Sequence, residues 1–246
     1  TFPGVNTLFA SSLRQDGHEK WVDFAGHFWH CGCVSSLSIA AFTTRYNKWC
    51  GRSGYQGSDA KAAAIHALAS AQVPTLPKSE GTKRLVKQAV SQLNSLSTTL
   101  AALRLEMLRL AESLPEFPVV AAMYGVGNVL GPQLIAEIGD VRRFMSKQSL
   151  VAFAGVDAPP FQSGSFISKD RKISKRGSAL LRKTLFQIMI CILQTAPEGD
   201  PVFQFLDKKR VEGKRYYVYM VAGSNKFLRI YYGRVKEYLA QLDLQP

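Results

Sequence analysis

No run of residues in this chain approaches the roughly 18 uninterrupted apolar residues of a membrane-spanning helix. The first residues also lack the basic-then-apolar layout of a secretory signal. Acids are scarce: 18 Asp and Glu stand against 31 Lys and Arg in 246 residues, a formal net charge of +13. Cysteine is scarcer still, and the irregular spacing of Cys31, Cys33, Cys50 and Cys191 argues against a disulfide framework. The four histidines, His18, His27, His30 and His66, all lie in the N-terminal half. A Ser–His–Asp hydrolase would therefore have to draw its histidine from there. GxSxG, Walker-type and HExxH motifs are absent. What these absences leave is the expectation of a cytoplasmic protein whose excess of positive charge is directed at nucleic acid.

An apolar fraction of 46% is enough for a globular core. The charge is unevenly spread, +4 over Thr1–Glu116 and +9 over Phe117–Pro246. The chain opens in mid-phrase on "TFPGVNTLF", and the expectation is a piece of a longer protein; a trimmed chain would open the same way.

Periodicity predicts a mainly α fold in three parts. Residues 1–79 read as short packed helices, with aromatic residues at helical spacing and little basic clustering. Within them "HFWHCGC" crowds His27, His30, Cys31 and Cys33. Zinc ligation wants a second pair further along, and Cys50 stands alone, so a buried aromatic and cysteine segment is the favoured reading over a metal site. "AQVPTLPKSEG" reads as a linker. Residues 80–116 carry Val86, Ala89, Leu93, Leu96, Leu100, Leu103, Met107, Leu110 and Leu114 in a three–four alternation, the seam of a coiled coil. Self-association through that seam, or pairing with another helix of the full protein, is expected, against the alternative of a long helix docked on its own domain. Pro115 and Pro118 should end it.

Residues 117–246 read as a compact, mostly helical domain. "PVVAAMYGVGNVLGPQLIAEIG" has the layout of a helix–hairpin–helix, in which Gly125 and Gly127 would let a DNA backbone approach the following helix start. "DAPPFQSGSFISKDRKISKRG" then places Ser163 before a glycine and follows it with cations. Attack of a serine oxygen on a phosphodiester needs no histidine, and its transition state gathers negative charge that cations stabilise. Lys169, Arg171, Lys172, Lys175, Arg176, Arg182 and Lys183, against the one acid Asp170, are the candidates for that work. Read from the residues alone, a turn serine is the favoured reading of Ser163, and Ser165, Ser168 and Ser174 compete for the catalytic role. The tail from Lys208 mixes cations with seven Tyr or Phe. It reads as a core helix with snorkelling cations and as a basic aromatic surface for nucleic acid.

Taken in order and spacing, "GVGNVLGPQLIAEIGDVRRF", "AFAGVD", "QSGSF", "SKRGSALLRKTLFQ" and "FLRIYYGRVKEYL" resemble the C-terminal domain of the IS110 insertion-sequence transposases, to which the pilin-gene invertases are related. The likeness spans most of Phe117–Leu239. The resemblance implies a recombinase with a RuvC-like acidic domain that binds Mg2+, a coiled coil, and a C-terminal serine domain, guided to DNA by a bridging RNA. It implies that Ser163 is the nucleophile and that Ser174–Gly177 is the family's basic turn. The RuvC-like acidic set is not found: Asp16, Glu19, Asp23 and Asp59 do not fall in alternating strands. The metal-binding part is expected to lie outside this chain. Two other readings stay open, an inactive remnant that binds nucleic acid and oligomerises, and a helical scaffold whose charge serves only solvation.

Overall fold

The computed structural model describes residues 1–9, 18–158, 162–163, 166–167 and 172–244, and of Gln162, Ser163, Phe166 and Ile167 it describes the backbone. Helices dominate throughout, so the mainly α expectation holds. The chain divides by contact into two units, Thr1–Leu103 and Arg104–Pro246. The boundary falls inside one long helix, not at either edge of the expected coiled-coil segment.

The N-terminal unit is built on α1 (Lys20–His27), α2 (Ile39–Arg52) and α3 (Asp59–Ala71). Two serines start the longer pair. Ser38 accepts a hydrogen bond from the Ala41 N–H and Ser58 from the Lys61 N–H, each satisfying an amide that the first helical turn leaves free. In α2 the buried residues Phe42, Tyr46, Trp49 and Cys50 repeat at helical spacing and meet Phe24 of α1 and Phe28 just after it. The Phe24 and Phe28 rings lie 4.8 Å apart by centroid.

His30 and Cys31 are buried in this aromatic core. His30 Nδ1 accepts from the Gly32 N–H at 2.9 Å, which leaves Nε2 to donate to the Leu76 carbonyl at 3.0 Å. Both ring nitrogens are thereby used, and the histidine ties the segment after α3 back to the core. Among the described residues no group of three or more His, Cys, Asp or Glu is placed to hold a metal ion.

Helix α4 (Glu80–Glu112) runs 33 residues. Ser79 caps its start, accepting from the Thr82 N–H. Within the N-terminal unit it uses a stripe through Val86, Val90, Asn94 and Ser97, all half-buried; Asn94 donates to Asp23 at 2.9 Å. The leucines of the heptad seam are on another stripe. Leu93, Leu96, Leu100 and Leu103 are 39–62% exposed. No described helix is long and apolar enough to cross a membrane.

In the C-terminal unit, α4 ends at Glu112, ahead of Pro115, and α5 (Phe117–Ala121), with Pro118 in its first turn, and α6 (Gly127–Ile138) follow. Then come α7 (Lys147–Ala154), β1 (Gln162–Ser163), β2 (Phe166–Ile167), α8 (Ala179–Thr195), α9 (Pro201–Val211) and α10 (Tyr216–Asp243). The core lies where α8 meets α6 and where α10 meets α7 and α9. Leu134, Ile138, Leu150, Leu181, Leu185 and Ile188 are fully enclosed there. Helix α10 is partly core and partly surface. Its Met220, Phe227, Leu228, Tyr231 and Val235 are buried, while Tyr216 and Tyr217 in its first turn stand exposed.

Candidate nucleic-acid interface

Two short segments meet at the root of α8. Residues 152–157, AFAGVD, end α7 and turn out of it, with Gly155 capping the helix in the left-handed region at φ 65°. Residues 174–178, SKRGS, lead into α8. They run side by side: the Ser174 N–H donates to the Asp157 carbonyl at 2.9 Å, Lys175 to Gly155 at 3.1 Å, and Ser178 to Phe153 at 2.9 Å. Side chains reinforce the ladder. Ser174 Oγ donates to the Asp157 carboxylate, and Ser178 Oγ donates to Glu137 at 2.7 Å while accepting from the Leu181 N–H as the cap of α8.

Gly177 is what allows the two backbones to lie this close. A Cβ there would sit 1.7 Å from the Phe153 carbonyl oxygen, far inside any van der Waals contact, so no other residue fits. Arg182 braces the same platform. Its Nη1 donates to the carbonyls of Ala154 and Gly177 at 3.1 and 3.0 Å. The phosphate clamp expected of Arg182 is thus partly spent on two backbone oxygens, those of Ala154 and Gly177.

The chain that carries Ser163 leaves this platform at Asp157 and returns to it at Ser174. Ser163 is in β1, paired antiparallel with Phe166 of β2, and Gln162 with Ile167. The serine therefore belongs to a strand pair and not to a free glycine loop. Of the other expected residues, Lys169 and Arg171 lie outside the described residues, as do Ser165, Ser168 and Asp170.

Beside the platform opens a groove of about 890 Å³. Lys172, Lys175, Arg182 and Lys183 line it, and no acid is among its described lining residues. Its apolar part includes Ile173, Phe186, Tyr217, Val218 and Val221. Lys172, Lys175 and Lys183 are exposed, while Arg182 is half-buried. Lys175 stands at φ 54°, a conformation that costs a non-glycine residue on the order of 1 kcal/mol. Its N–H bond to Gly155 holds it there. Arg176 is exposed on the same turn but does not line the groove. Tyr217, 72% exposed, lies 6.3 Å by centroid from Phe186. The sequence had shown these rings only as members of an apolar helix and an aromatic tail. Their joint placement over a cationic groove comes from the packing of α10 on α8.

The two hairpin glycines part company. Gly125, at φ 76°, would place a Cβ 2.8 Å from the Ile188 carbonyl oxygen and 2.8 Å from Ile192 Cγ1. Its close approach is therefore to α8, not to a DNA backbone, because α6 and α8 pack at this point. Gly127, at φ 55°, opens α6 and has no atom within 4 Å of where its Cβ would be. The helix before them, α5, is only five residues long.

With this geometry in view, comparison with known proteins places the segment. Residues 118–204 match the Transposase IS116/IS110/IS902 family. The matched transposase-family segment runs from α5 into α9 and contains the platform, Ser163 and most of the groove. The chain is also similar to the insertion element IS900 uncharacterized 42 kDa protein of Mycobacterium paratuberculosis, with 26% identity over 121 residues. That alignment takes in 49% of this chain and 29% of the relative, so the chain matches under a third of the relative's length.

Proposed function

We propose that the C-terminal unit is the DNA-engaging part of a transposase in which Ser163 attacks a phosphodiester. The observation that carries this reading is the cationic groove, with no acid among its described lining residues, at the root of the chain segment bearing Ser163. In the step proposed, the Ser163 oxygen forms a bond to phosphorus and the bridging oxygen of the strand departs. The serine proton ends on the departing hydroxyl, so the number of ester bonds is unchanged and the break can be resealed without ATP. Lys172, Lys175 and Lys183 stabilise the charge that the transition state gathers on the phosphoryl oxygens. Lys169, Arg171 and Arg176 join them in this reading, Arg182 holds the platform, and the Gly127 end of α6 supplies backbone amides to a phosphate. Tyr217 and Phe186 offer faces on which unpaired bases stack.

The family match supports a wider reading for the whole protein. It adds an acidic domain holding Mg2+, a bridging RNA that selects the DNA, and self-association through the exposed seam of α4. The described residues hold no carboxylate cluster of their own, and the serine step above uses only side chains of this chain. The test is to trap a covalent protein–DNA adduct during strand exchange and map the linked residue. A DNA-linked peptide containing Ser163, absent in Ser163→Ala, is the expected result. An adduct on another residue, or strand exchange undiminished in Ser163→Ala, would sink the assignment. A protein that binds DNA through the groove but forms no adduct is the remnant.

A further inference from the structure

The N-terminal unit carries a second cluster of cations that the serine chemistry does not use. Arg45, Lys48 and Arg52 repeat along one face of α2, and all three are exposed. They line a concavity of about 290 Å³ with His27 of α1 and Trp49. No acid lines it. Among the described residues none of the three cations makes an ion pair, whereas Glu106–Arg109 and Asp207–Arg210 show that acids do sit one turn from cations elsewhere in this chain. Like charges three and four residues apart on a helix repel each other. A face so built is at its most stable when an anion fills it.

The walls of the site are fixed by the core. The His27 ring stacks on Trp49, centroids 6.2 Å apart with planes at 26°. The Arg45 guanidinium lies over the Phe28 ring at 6.0 Å. Partial burial and the charges of Arg45, Lys87 and Arg52 hold the His27 imidazole below its usual range, so it is neutral and able to donate one N–H near neutral pH. The volume is at the bottom of the roughly 300–1,000 Å³ range of sites that enclose whole small molecules. It suits a single phosphate group, with guanidinium forks to clasp it.

We infer that His27, Arg45, Lys48, Trp49 and Arg52 form a phosphate subsite that seats one backbone phosphate of a nucleic acid strand on the N-terminal unit. The inference stands on its own geometry and does not need Ser163 to be a nucleophile.

The test uses the full chain, with inorganic phosphate and short DNA and RNA strands of one sequence as probes. Arg45→Gln/Arg52→Gln is compared with Arg84→Gln/Lys83→Gln, which removes as much charge from α4 outside the concavity. Lys48→Gln is a second, milder variant. The double variant in the concavity should weaken strand binding about tenfold. One phosphate fewer should also lower the slope of log affinity against log salt by about 0.7 for a single strand. Inorganic phosphate should raise the His27 pKa, followed by proton NMR of its ring, in the wild-type chain and not in the double variant. Loss with only one of the two strands supports the subsite and names its source. Losses no greater than in the α4 control, or a His27 titration that phosphate leaves unmoved, overturn the inference. Because the phosphate arm involves no strand exchange, its failure is separable from failure of the serine reading.

Discussion

Replacing Gly177 by Ala adds one methyl group at the tightest point of the C-terminal unit. That Cβ would stand 1.7 Å from the Phe153 carbonyl oxygen, 2.5 Å from its carbon and 2.8 Å from the Gly155 nitrogen. All three are backbone atoms, so no side chain can rotate out of the way, and the two segments must part by more than about 1 Å to reach ordinary contact. The bonds from Ser174, Lys175 and Ser178 across the platform cannot all survive that displacement. A net 0.5–1.5 kcal/mol for each hydrogen bond puts the destabilisation at about 2–4 kcal/mol. At roughly 3 °C per kcal/mol for a unit of this size, the melting temperature should fall by about 6–12 °C. Gly199→Ala is the control, since a Cβ there meets nothing within 4 Å. Its effect should stay within about 0.5 kcal/mol. Amide hydrogen exchange localises the damage: Lys175 and Ser178 should lose protection at least tenfold in Gly177→Ala while the amides of α10 change less. If those two amides kept wild-type protection, the close approach would not be what holds the platform, and the reasoning would fail.

Lys172→Gln/Lys183→Gln should weaken binding to DNA and reduce its salt dependence, and an unchanged salt slope would show that the groove neutralises no phosphate. Tyr217→Ala should cost about 1–3 kcal/mol of single-strand affinity and little duplex affinity, measured by fluorescence anisotropy; equal losses on both would remove base stacking from the account. Leu96→Glu/Leu100→Glu, on the exposed stripe of α4, should turn any self-associated species into monomer in sedimentation without lowering helicity, and an unchanged mass would dismiss the seam as an interface. The N-terminal unit should also lose stability on acidification. The folded unit binds the His27 proton less readily than the unfolded chain does, so stability from this group is full above about pH 6.5 and falls as pH drops from there through the lowered folded value. His27→Gln should flatten that part of a melting-temperature profile.

The helices were legible because their signals are local. The apolar spacing that predicts them runs along each helix itself, and Ser38, Ser58, Ser146 and Ser178 cap four of the starts. Close approach between distant segments is not a local signal. Gly125 and Gly127 look alike in "GVG", yet Gly125 faces the backbone of α8 and Gly127 faces open space. What separates them is the packing of α6 on α8, some sixty residues along the chain. Charge showed the same limit. Summed over residues 1–116 the excess looked dilute at +4. Arg45, Lys48 and Arg52 are spread over eight positions of sequence, and the helix gathers them beside a histidine from α1. Counting charges along the chain averages over the faces of a helix, while a ligand meets one face.

The same distinction bears on α4. Its half-buried stripe in the N-terminal unit, Val90, Asn94 and Ser97, lies one residue on from the exposed seam of Ala89, Leu93 and Leu96. One residue is about 100° around a helix, so the two stripes are neighbouring faces. The face that docks within the unit carries a valine, an asparagine bonded to Asp23, and a serine. The face left open carries leucine after leucine. A helix needing only to cover its own unit would bury its most apolar stripe, because each buried leucine contributes about 1.5–3 kcal/mol. Here the more polar stripe is the one used internally. The two alternatives posed by the heptad pattern, docking and pairing, are therefore not exclusive. The helix docks with one face and keeps the better one available, which is the arrangement that pairing with another helix requires.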